Sequence, residues 1–169
     1  FHGEKGIFVL HPVGWNVIEY DGGAFIAHDQ AGPNGAALSF VYVQPLTQIE
    51  GPSMSGVKGL GQIAPQLFPS VQVTSARAVS SGGDPDVAVA TIAYTPRAFP
   101  FQGVAMCFKQ GGQGVLYVIA AATQNWLQAE PVMKYILSNF CYAGNGQGGS
   151  PALPPMVMWR DPIEGAFTL

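Results

Sequence analysis

Three histidines, His2, His11 and His28, fall within the first sixth of a 169-residue chain. Imidazoles gathered at one end of a fold can hold a transition metal or act as a base, so His11 and His28 are the first candidates for chemistry. Their spacing contains no H-x-x-x-H pair, and the two cysteines, Cys107 and Cys141, make no C-x-x-C. Asp84 and Asp86 flank Pro85 in a Gly/Pro turn, where carboxylates cap and solvate loops. Glu19, Asp21 and Asp29 stand at hairpin ends with the same role. The hydroxyls of Ser53, Ser55, Ser75, Ser80 and Ser81 belong to no G-x-S-x-G, and no histidine follows them to complete the usual hydrolase order. The glycines Gly56, Gly59 and Gly61 do not follow directly on a strand as a dinucleotide fingerprint would, and Gly111–Gly114 lacks the G-K-[ST] of a phosphate loop. No catalytic, cofactor-binding or metal-binding residue is therefore assigned, no cofactor is expected, and the chain is not expected to be an enzyme.

The cysteines carry two readings. In an oxidising compartment Cys107 and Cys141 can close a loop of about 33 residues, a cross-link worth about 3 kcal/mol. Alternatively they are two small buried hydrophobes. Neither is assigned as a nucleophile.

Composition narrows the partners. Hydrophobic residues make up 48% of the chain, enough to bury a core, while charged residues make up only 10%, against about 25% in an average domain. Seven Lys and Arg, a net charge of −3 and the absence of any basic cluster exclude phosphate-backbone binding and a polybasic membrane anchor. No apolar run approaches the roughly 20 residues of a transmembrane helix. Low charge leans toward a secreted, periplasmic or cell-surface protein. The chain opens on Phe1, which fits a removed leader or a piece of something longer.

These side chains have to be positioned by strands. Gly6–Leu10 and Trp15–Tyr20 read as strands, and Asp21-Gly22-Gly23 turns the second into Ala24–His28. Ala37–Val43 is apolar on both faces, as a strand covered on both sides would be. Val71–Val79, Asp86–Tyr94, Phe99–Lys109 and Val115–Ala122 follow with connections too short for parallel crossovers, which predicts an antiparallel meander. A helix over 53–68 is capped by Ser53, carries Met54, Val57, Leu60, Ala64 and Leu67 on one face, and uses its glycines to sit close to the sheet. Near the other end, Pro131 predicts a short turn over 124–130 and a main helix from Pro131 to Phe140. A Gly/Pro-rich linker over 144–155 then separates a domain at 1–143 from a tail at 156–169. Within that tail Gly165-Ala-Phe-Thr-Leu169 repeats the shape of Gly6-Ile-Phe-Val-Leu10. The tail is expected to be the first strand of a second repeat, or a strand exchanged with a neighbouring copy. Tyr94, Phe99, Phe101, Trp159 and Phe167 are the candidate contacts for a partner or ligand, with Phe99-Pro100-Phe101 the expected exposed apolar feature.

The opening F-V-L-H-P-x-G-W (Phe8 to Trp15), the hairpin after it, the helix after the fourth strand, the meander, and V-L-Y-V-I-A-A-A leading to a helix that ends I-L-S-N-F (Ile136 to Phe140) together resemble the PsbP-like family. The resemblance spans about residues 4–142. It implies an α+β fold: an antiparallel meander sheet of about six to eight strands flanked by helices on both faces. It also implies a non-enzymatic adaptor that binds protein partners, with no shared catalytic residues to transfer. The expected function is a secreted or periplasmic protein-interaction or assembly module, one unit of a tandem array. The alternative is a small apolar ligand or lipid held between the sheet and helix 53–68.

Overall fold

Phe40, Val41, Tyr42 and Val43 are all buried, and in an extended chain successive side chains point to opposite faces. A segment buried on both faces lies inside a sheet rather than at its edge. The computed structural model describes residues 7–20, 23–28, 38–46, 53–68, 70–80, 86–95, 99–110, 113–138 and 140–142. In chain order they form β1 (Ile7–Val9), β2 (Trp15–Tyr20), β3 (Gly23–His28), β4 (Ser39–Leu46), α1 (Ser53–Lys58), α2 (Leu60–Ile63), β5 (Gln72–Ser80), β6 (Asp86–Tyr94), β7 (Phe101–Gln110), β8 (Gln113–Ala122), a 3-10 turn (Thr123–Asn125), α3 (Trp126–Ser138) and β9 (Phe140–Tyr142).

Seven strands make one sheet in the order β2-β3-β4-β8-β7-β6-β5, every neighbour antiparallel. The fold is α+β. The meander expected over 71–122 is present, but it does not continue the first one. The β2–β4 meander ends against β8, with Ser39 opposite Ala121 and Leu46 opposite Gly114. The reason is α1, which packs across β5, β6 and β7 and carries the chain to the far edge, from which four strands return. The central strands are the most apolar. The edge strand β5 exposes Thr74, Ser75 and Arg77 and shifts register between Val73/Ser75 and Ala78/Ser80, features that discourage a further strand from adding there.

Alternate residues of the same strands feed two separate apolar clusters. Val41, Val43, Val104, Met106 and Tyr117 pack with Trp126, Met133 and Ile136 of α3. Phe40, Tyr42, Ala105, Cys107 and Leu116 pack with Val57 of α1 and Leu60 of α2. Gly56 is what allows α1 to settle: a Cβ there would come within 2.6 Å of the Cys107 sulfur.

Several elements differ from expectation. The helix over 53–68 is two short helices broken at Gly59, because Gly59 and Gly61 are poor helix formers in adjacent turns. Ser53 does not cap α1 with its own side chain. Instead the Asp86 carboxylate accepts from the Ser53 backbone N–H at 2.8 Å and from its hydroxyl at 2.7 Å. Pro131 lies inside a continuous α3. It sits on the exposed side of that helix, while Trp126, Met133 and Ile136 hold the buried side, so packing overrides the cost of a missing backbone donor. Phe140 is not the end of a helix. Phe140–Tyr142 is β9, and it pairs antiparallel with β1, Ile7 opposite Tyr142 and Phe8 opposite Cys141. The first strand therefore stands outside the main sheet. In Pro12-Val13-Gly14-Trp15 the Trp15 N–H reaches the Pro12 carbonyl at 3.3 Å, and Gly14 has φ 86°, which a side chain would resist.

Candidate functional site

At one end of the sheet, Trp15 on β2 stands opposite His28 on β3. Their rings meet edge to face, centroids 5.5 Å apart and planes at 88°. The register that pairs Ala27 with Phe40 puts Ser39 of β4 beside His28. Trp15, Ile26 and Val41 all belong to the cluster under α3, so by alternation His28 and Ser39 face α3 as well. Asn125, at the end of the 3-10 turn, and Gln128, Ala129 and Val132 of α3 form the opposite wall, and Leu38 adds apolar surface. Between them lies a cleft of about 190 Å³.

The cleft is unusual in its polar groups. Ser39 is only 7% exposed, and its hydroxyl has no hydrogen-bond partner among the described residues. Ser53, the other buried serine among the described residues, is 1% exposed but is satisfied by Asp86. Every polar side chain lining the cleft can donate: the Ser39 hydroxyl, the His28 ring, and the Asn125 and Gln128 amides. Among the described residues the lining includes no carboxylate, and the first turn of α3 carries no acidic residue. Ser39 and His28 are neighbours without a hydrogen bond between them, whereas activation of a serine nucleophile requires that contact.

Among the described residues, His28 alone of the candidates singled out from sequence lines this cleft. Tyr94 is 5% and Phe101 3% exposed. Their rings lie 5.2 Å apart with planes tilted by 35°, and both meet Phe40, whose ring lies 5.8 Å from Phe68. These two candidates are core and offer no surface to a partner: Phe101 opens β7 directly after Pro100 instead of standing in an exposed turn, and both rings belong to the cluster with Val57 of α1 and Leu60 of α2. Phe99 is half-buried at its edge, 5.9 Å from Phe101. The same rings pack between the sheet and α1 and α2, the layer in which an apolar ligand was the alternative expectation. Cys107 is a free, buried thiol, and burial pushes it up from its ordinary 9.0 to about 12, the Asp86 charge adding and the Lys109 charge opposing. No bond joins it to Cys141, whose side chain, like Trp159, Phe167 and the linker 144–155, lies outside the described residues. His11 contacts the adjacent Pro12 carbonyl at 3.2 Å; His2 lies outside the described residues. Among the described residues no three His, Cys, Asp or Glu are placed to hold a metal, and no helix is long and apolar enough to cross a membrane.

No family model matches the chain, and no curated protein matches it in sequence. Solved structures do. The cyanobacterial PsbP (CyanoP) of Synechocystis sp. PCC 6803 is similar with a TM-score of 0.55 and 12% identity, over 84% of this chain and 90% of that one. The fold is PsbP-like. The Ran-binding protein Mog1p of Saccharomyces cerevisiae is similar with a TM-score of 0.50 and 9% identity, over 80% of this chain and 89% of that one. Identities this low carry the fold and not an activity. The PsbP-like scaffold supplies the cleft through β2–β4 and α3, yet Ser39, Asn125 and Gln128 belong to no motif. One signal was readable in the sequence: a serine inside the apolar run Leu38–Val43, on the same face as Val41 and Val43.

Proposed function

We propose that this chain is a non-catalytic protein-interaction or assembly module that works outside the cytoplasm, in the periplasm or at the cell surface. It is one unit of an array, with its sheet held between a layer made by α1 and α2 and a layer made by α3. The observation that carries the reading is the PsbP-like fold, shared with Mog1p, which is described as a Ran-binding protein. The two separate apolar clusters support the layered arrangement. The low charge supports the location. The surface supports a partner: Leu127 is 85% and Tyr135 52% exposed, and with exposed Pro131 they recur every four residues along the outer side of α3.

Residues 156–169 supply the link between copies. Ala166, Phe167 and Thr168 take the places that Ile7, Phe8 and Val9 hold against β9, and main-chain pairing of an added strand gives the affinity. As an unordered coil the linker spans about 20 Å, enough to reach a neighbour. The test is covalent trapping. With Phe167 opposite Cys141, a Phe167→Cys variant forms a disulfide between two molecules under mild oxidation, seen as a dimer band on a non-reducing gel. A variant that stays monomeric, or that closes the bond within one molecule, contradicts the exchange.

A further inference from the structure

We propose that the cleft between α3 and the β2–β3–β4 end of the sheet binds a small carboxylate with a flat apolar body, of the size of benzoate. Ser39 is the deciding residue. It is 7% exposed, faces the cleft, and donates to nothing among the described residues. A buried hydroxyl left unpaired is destabilising, and an acceptor in the cleft removes that cost. The remaining polar side chains that line the cleft, His28, Asn125 and Gln128, are of types that can donate. The start of the 13-residue α3, with no acidic residue in its first turn, adds the positive end of a helix dipole. Among the described residues the lining holds no carboxylate to oppose a bound anion. Trp15 and Val132 supply the apolar surface that a flat ring covers. The volume of about 190 Å³ admits a single-ring acid and excludes a lipid chain. Among the described residues no Lys or Arg lines the cleft, so a ligand this small binds with a Kd on the order of 1 mM.

The site is independent of strand exchange, and its test leaves that reading untouched. The full chain, labelled with ¹⁵N, is titrated with sodium benzoate at constant ionic strength, with benzyl alcohol as the neutral counterpart. The expected result is a saturable shift of the Ser39, His28, Asn125 and Gln128 amides. Benzyl alcohol binds about tenfold more weakly, as does benzoate to Ser39→Ala. Gln128 is exposed, so Gln128→Ala keeps the native spectrum while weakening benzoate. Shifts that do not saturate, or that lie elsewhere, overturn the site. Equal binding of benzyl alcohol overturns the carboxylate. Unchanged affinity in both variants overturns the roles given to Ser39 and Gln128.

Discussion

Gly56 and Cys107 illustrate how a single absent side chain sets the distance between two layers. A Cβ on Gly56 would lie 2.6 Å from the Cys107 sulfur and 3.1 Å from its Cβ, so Gly56→Ala is expected to cost about 1–3 kcal/mol despite its better helix propensity. Cys107→Ala removes the sulfur and should recover much of that loss, giving a coupling of about 1 kcal/mol in a double-mutant cycle read by urea denaturation. Additive effects would show that the contact does not set the spacing. The same burial has a pH signature. Cys107 is pushed up from 9.0 to about 12 by burial, and burial also raises the Tyr94 hydroxyl above its ordinary 10.0. Below about pH 9 the folded and unfolded states both keep these protons and stability is flat. Between pH 9 and 12 the unfolded chain releases a proton from Cys107 that the folded chain retains, so stability falls as pH rises. A Cys107→Ala variant should lose part of that slope; an unchanged slope would assign it to other groups. The closeness of the glycine-rich helix to the sheet was legible in the sequence. That its neighbour would be Cys107, and that Cys107 would be free, was not, because cysteine spacing alone does not say which side chains meet.

Among the elements, strands were the more readable part, because alternation and Gly/Pro turns mark them locally. The hairpin of β2 and β3 and the run from β5 to β8 follow the sequence pattern closely. The helices departed from it wherever a distant contact decided the outcome. Asp86 had the look of a loop carboxylate, yet it anchors the first turn of α1 through Ser53, a partner 33 positions away. Asp86→Ala strands the buried Ser53 hydroxyl and N–H, and should cost about 2–3 kcal/mol of unfolding free energy. A loss no larger than that of an exposed surface change would mean that α1 is held by its apolar contacts alone. Pro131 had the look of a helix start, but the apolar grip of Trp126, Met133 and Ile136 carries α3 straight through it. Replacing it with alanine restores a backbone donor on an exposed turn and should raise stability by about 1–3 kcal/mol. No gain would show that the Pro131 position has no helical bond to restore. The Glu130–Lys134 pair, 2.8 Å apart on the same helix, adds only about 0.3–0.5 kcal/mol and does not decide the matter.

At the scale of the molecule, the sequence pointed to a PsbP-like sheet but could not order its strands. Whether β4 meets β5 or β8 depends on where α1 and α2 take the chain, and no local pattern encodes that. The cleft was hidden for the same reason: His28, Ser39 and Gln128 lie on three elements that meet only in the completed fold. The pairing of β1 with β9 outside the main sheet is the ribbon proposed to receive the repeated Gly165–Leu169 segment. An opening strand of three residues, Ile7–Val9, makes a small ribbon that a second copy of its sequence can enter. The central claim is that this chain joins to its neighbours through that tail. Sedimentation velocity over a range of concentrations, on the full chain and on a variant ending at residue 155, tests it most directly. The full chain is expected to sediment as dimers and larger species at high concentration while the shortened chain stays monomeric. Identical sedimentation of the two across the range would contradict it.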